Sequence, residues 1–183
     1  MSATVVAALV ATGLRLVASH AYPDGAPPGF SGGFKEESCH ACHFHQELNA
    51  AGGSVTIDGV PTTFKPGERY TLTITLTRPG MKRAGFQLTA RFKDTGAQAG
   101  GLAAGAGEAD RVAVENQDGV HYAGQRKAGT VVSSDAARWV VDWTAPAGGG
   151  AVVFNVSANA ADGNESADGD FVHTATAGAA PPP

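Results

Sequence analysis

The stretch Glu68–Gly80, "ERYTLTITLTRPG", decides the fold. Tyr70, Leu72, Ile74 and Leu76 alternate with Thr71, Thr73, Thr75 and Thr77. Side chains on a strand point to opposite faces at every step, so this pattern predicts a strand with one apolar and one polar face. The flanking "KPG" and "RPG" supply turns. Further runs repeat the pattern. "AGFQLTARFKD" places Phe86, Leu88, Ala90 and Phe92 on one face. "RWVVDWTAP" does so with Trp139, Val141 and Trp143, which reads as core, and "GAVVFNVSANA" with Val152, Phe154 and Val156. "SVTIDG", "RVAVEN", "VHYAG" and "DFVHTAT" are shorter or weaker. Strands with a single apolar face need a second sheet to cover it. The predicted fold is an all-β, Ig-like antiparallel β-sandwich.

The chain has 183 residues, enough for one domain with a core. Hydrophobic residues make up 43% and charged residues 16%, so the chain folds. Its 25 glycines argue for many turns and few long helices. The formal charge is −4 with no basic stripe, which argues against nucleic acid as a partner. "VVAALVATGLRLVA" followed by "SHA" reads as an export signal over residues 1–21, although no Lys or Arg precedes the run and Arg15 interrupts it. Its removal takes the charge to −5. No second apolar span of membrane length follows, so the mature chain is expected without a membrane span. Residues 22–53 are expected as an extended lead-in ending in a short helical turn. Residues 54–176 form the sandwich and residues 177–183 a disordered tail.

The lead-in contains "EESCHACHFHQ", residues 36–46, with the only two cysteines of the chain. Cys39, Cys42 and His43 make C-x-x-C-H, the attachment motif of haem c. Two thiols three positions apart can add to the two vinyl groups of one porphyrin edge, and the next histidine can then bind iron. Other uses of the residues are a zinc or copper site made of Cys39, Cys42 and two of His40, His43 and His45, and a Cys39–Cys42 disulfide suited to an oxidising compartment. A second axial ligand for a haem would come from His121, His173 or Met81, because His40 and His45 adjoin the motif and are badly aimed at the far face of the ring.

"ADGNESADGD" sets Asp162, Asn164, Ser166, Asp168 and Asp170 at alternate positions, a spacing that can wrap Ca²⁺. The EF-hand pattern fails at Ala167, and a solvated acidic turn is the favoured reading. Ser133, Ser134 and Asp135 lie outside any G-x-S-x-G frame, and no Gly-rich loop opens a helix, so neither a serine nucleophile nor a phosphate site is indicated.

Taken in order, "DGAPPGFSGGFKEESCHACH", "GVPTTFKPGERYTLTITL", "AGFQLTARFKDTGAQAGGL" and "RWVVDWTAPAGGGAVVFNVSANAADGNESADGD" resemble the bacterial choice-of-anchor V domain family over residues 22–175. That family looks related to the Reeler-like β-sandwiches of extracellular proteins. The resemblance implies a secreted, periplasmic or surface-displayed protein, with C-x-x-C-H mapping to Cys39, Cys42 and His43. No sorting segment is seen after residue 175, which favours a free periplasmic or secreted form. The function expected is that of an exported monohaem electron carrier with an unidentified redox partner, not an enzyme. The alternative is an extracellular binding or adhesion module that contacts a cell surface or matrix.

Overall fold

The computed structural model describes residues 22–183; the expected export signal, residues 1–21, lies outside them. Among the described residues, nine strands form two antiparallel sheets. They are β1 Ser54–Asp58, β2 Arg69–Thr77, β3 Arg83–Phe92, β4 Gly101–Ala104, β5 Val112–Gln117, β6 Val120–Gln125, β7 Ala136–Thr144, β8 Val152–Ala161 and β9 Phe171–Ala179. One sheet runs β1-β2-β7-β4 and the other β5-β6-β3-β8-β9. The expected β-sandwich is present.

The β2 alternation works as read: Leu72, Ile74 and Leu76 are fully buried, and the threonines face out. β7 pairs along its length with β2 and brings Trp139, Val141 and Trp143 onto the same inner face. Trp143 meets Phe154 of the opposite sheet edge-on at 4.9 Å, and Trp139 stacks on Phe86 at 4.5 Å. Both indole N–H groups are satisfied without water: Trp139 donates to the Gly129 carbonyl and Trp143 to that of Ala99, each at 2.8 Å. A buried indole needs such a partner, because an unmade bond there costs about 1–3 kcal/mol.

Three features differ from the sequence expectation. β4 was not foreseen, since four residues rich in Gly and Ala carry too little pattern. β9 continues to Ala179, and Ala180 bridges to Thr63, exchanging backbone bonds with Thr62 and Phe64 at 2.9 and 3.0 Å. Residues 177–180 therefore belong to the sheet and not to a tail. Their small side chains continue the inward alternation, and Ala179 is buried in the core.

The third difference is the largest. Residues 22–50 are not a lead-in ahead of the sandwich but a strap laid across the outer face of the five-stranded sheet. Along the strap, the Tyr22 carbonyl accepts from Gln125, Asp24 accepts from the Lys127 amide, and the Pro27 carbonyl accepts from Gln87 at 2.9 Å. Ser31 meets Thr89, and Cys39 reaches Ser157 on β8. Asn49 ends the crossing on β9, where its amide donates to the Val172 carbonyl and its side chain holds both the backbone and the hydroxyl of Thr174. The strap explains why β3 and β8 are buried on both faces. Gln87, Thr89, Arg91, Ser157 and Asn159 point away from the core yet are covered.

Candidate functional site

The C-x-x-C-H residues sit in the strap, over β8 and β9. Ser38 accepts from the His40 amide and starts a single 3₁₀ turn, Cys39–Ala41. The Cys39 carbonyl then accepts from both Cys42 and His43. The turn is pinned from below, because the Cys39 amide donates to the Ser157 hydroxyl at 3.0 Å.

The two thiols occupy different environments. Cys42 is exposed, whereas Cys39 is half-buried and faces the sheet. Desolvation raises the Cys39 pKa above the ordinary thiol value; hydrogen bonds from Ser157 and the backbone offset part of this, and the neighbouring Cys42 adds slightly to it. A protonated, covered thiol is a poor nucleophile. Both cysteines are free.

His43 is held from the far side of the loop. Its Nδ1 lies 2.7 Å from Oδ2 of Asp170, whose side chain is 1% exposed. Asp170 also accepts from Asn159 Nδ2 at 3.0 Å and from the Asp162 amide at 3.2 Å. His45 makes a parallel contact, its Nδ1 2.9 Å from Asp168 Oδ1, at the surface. His40 uses Nε2 on the Gln46 carbonyl. Phe44 and Leu48 project into solvent between these anchors, and Phe44 stacks on the His45 ring.

A buried polar knot that sequence reasoning missed fixes the other end of the motif. Glu36 pairs with Arg91 and accepts from Tyr122 Oη at 2.5 Å and Ser31 Oγ at 2.6 Å. Arg91 also donates to Tyr122 Oη. The usable signal was Arg91 itself, a charge in the middle of the "GFQLTARF" strand, where an uncovered face would not demand a partner buried in turn.

The remaining sequence candidates lie elsewhere. His173 pairs in register with the core residue Ala158 and so faces inward, 2% exposed. His121 lies two residues before the inward-facing Ala123, whereas Tyr122 reaches the strap on the outer face. Met81 is in the core. None of the three is brought to the motif; both histidines lie across the sheet from it. The acidic turn does not gather its carboxylates. Asp162 accepts from the backbone and side chain of Asn164, Asn164 accepts from the Ser166 amide, and Ser166 accepts from the Asp168 amide. The side chains close the turn on itself. Among the described residues no group of three or more His, Cys, Asp or Glu is placed to hold a metal ion.

A covalent haem fits part of this arrangement. His43 and Cys42 are accessible and could hold it, whereas Cys39 is half-buried and faces the sheet. A thioether bond at Cys39 would need its turn to lift from Ser157, whereas one at Cys42 would not.

The fold so described is that of a Reeler-like β-sandwich. The crystal structure of the Reelin-N domain of F-spondin matches it with a TM-score of 0.51 at 20% identity, covering 79% of this chain and 98% of that one. A human F-spondin reeler domain gives 0.49 at 18% identity over 76% and 98%. A cohesin module from a Clostridium perfringens family 33 glycoside hydrolase gives 0.49 at 10% identity over 72% and 98%. No family model matches the chain, and no curated protein matches it. Among the described residues no helix is long and apolar enough to cross a membrane.

Proposed function

We propose that this chain is an exported, non-enzymatic binding module whose contact surface is the loop Cys42–Leu48. The observation that carries the reading is an exposed loop on a fixed base. Phe44 is 59% exposed and Leu48 42%, yet the loop is tied to the sheet at Cys39, His43 and Asn49. Large apolar side chains held in water on an anchored loop are characteristic of interaction sites. The Reeler-like sandwich and the expected export signal support an extracytoplasmic setting, with a cell surface or matrix as partner. Membership in the choice-of-anchor V family belongs to the same proposal and rests on the order of the motifs. The test is saturable binding of the labelled mature chain to the envelope of the producing cell. Replacing Phe44 and Leu48 together by Ala should weaken it at least tenfold, and unchanged binding would remove the loop from the function.

One observation favours a second reading, the monohaem c protein. His43 has one ring nitrogen committed to a buried carboxylate and sits next to an exposed cysteine. A haem at Cys39, Cys42 and His43 would supply outer-sphere electron transfer. Expression with the signal in a host that matures c-type cytochromes decides it. A Soret band that stays with the denatured chain is expected on this reading; a colourless chain leaves the binding module alone.

A further inference from the structure

The geometry points to Asp170 as a positioning residue that fixes the tautomer of His43 and so makes Nε2 its metal-binding atom. Asp170 is buried, and a carboxylate only accepts hydrogen bonds. It already accepts from the Asp162 amide on Oδ1 and from Asn159 on Oδ2. Asn159 Nδ2 also lies 3.3 Å from His43 Nδ1 and 3.5 Å from Nε2, but the carboxylate contact at Nδ1 is the shorter at 2.7 Å, and it is made only if Nδ1 carries the proton. The neutral ring is then left with its lone pair on Nε2. A metal-bound histidine is commonly oriented in this way, by a carboxylate on its other nitrogen. Here the carboxylate comes from the acidic turn 162–170, which ties the turn to the motif.

The same bonds predict what Asp170→Asn does. The Asp162 backbone N–H cannot turn round, so the amide oxygen of the new residue must stay at the Oδ1 position. Its NH₂ then faces His43 Nδ1 and Asn159. Asn159 can flip to accept, because its own Oδ1 is buried without a partner among the described residues. His43 Nδ1 is turned into an acceptor, the proton moves to Nε2, and the lone pair needed by a metal is lost.

The inference rests on the haem reading for the identity of the metal, but its test does not. The metal-free chain is labelled with ¹⁵N and its imidazole nitrogens are observed by long-range ¹H–¹⁵N NMR near pH 8. The wild-type spectrum should show His43 with Nδ1 protonated and Nε2 bare, and Asp170→Asn should invert the pattern. A wild-type His43 protonated mainly on Nε2, or a folded Asp170→Asn chain with an unchanged pattern, overturns the inference. If the variant does not fold, the wild-type spectrum alone decides. In a haem-loaded chain, Asp170→Asn should also alter the Soret and reduced-state bands. A colourless chain in the competent host sinks the haem reading and leaves the tautomer result standing.

Discussion

The two sheets of this sandwich have outer faces of opposite kinds. On the four-stranded sheet, Thr71, Thr73, Thr75 and Thr77 face out, exposed or half-buried, and the bonds of Thr71 to Asp142, Thr73 to Arg138 and Thr77 to Ser54 all lie at the surface. On the five-stranded sheet, Gln87, Thr89, Arg91, Ser157 and Asn159 are just as polar but lie under the strap. Most covered polar atoms find a protein partner there, because burying one unpaired costs about 1–3 kcal/mol; Arg91 Nε, Asn155 Oδ1 and Asn159 Oδ1 are exceptions among the described residues. The covered face is held by specific bonds between distant residues, and the open face by the apolar side that both sheets share. The same substitution should weigh differently on the two faces.

The widest gap is expected at Arg91. Arg91→Ala leaves Glu36 covered without its cation, and breaking a buried pair in this way costs about 3–5 kcal/mol. Urea unfolding followed by tryptophan fluorescence measures it; a loss under 1 kcal/mol would mean that the strap is not held by this knot. Ser157→Ala is next. It removes the acceptor of the Cys39 amide and should cost about 1–2 kcal/mol. Amide exchange at Cys39 should quicken while the core strands stay protected; equal acceleration everywhere would deny the local anchor.

His173 gives a gentler effect, spread over pH. In the unfolded chain it takes a proton near pH 6.5. In the fold, burial first and the Arg78 charge second lower its pKa, so it stays neutral further into acid. Between those two values the unfolded chain binds more protons, so stability falls as pH drops below about 6.5 and levels off once the folded imidazole is charged. His173→Leu should remove this part of the slope in melting temperatures taken from pH 7 to pH 5; an unchanged slope assigns the acid sensitivity elsewhere. The smallest change belongs to the open face, where Thr75→Ala should alter stability by no more than about 0.5 kcal/mol. A larger loss would erase the contrast between the faces.

That contrast also marks what the sequence could say. Period-two alternation is a property of consecutive residues, so β2, β3, β7 and β8 were legible, with their inner faces. C-x-x-C-H was legible as a motif for the same reason. The strap was not, because "YPDGAPPGFSGGFKEE" has no period and its contacts lie far away in sequence, as with Cys39 and Ser157. Asp170 was visible only as one of several acids in a turn. Its part in holding His43 depends on the folding of the turn against the loop, which no local pattern encodes. His121 and His173 lie away from the motif for a reason that residue type alone does not carry: one residue of register takes a strand side chain from one side of a sheet to the other.

The unequal burial of the two cysteines has a kinetic meaning. Cys42 should react with an alkylating reagent at the rate of a free surface thiol, whereas Cys39, half-buried against the sheet and with its pKa raised by desolvation, should react more slowly. The ratio of the two rates then reads how far the closed strap shields Cys39, separate from global unfolding. The chain carries, three residues apart, both a reporter of how the strap sits on the sheet and the reference thiol against which to calibrate it.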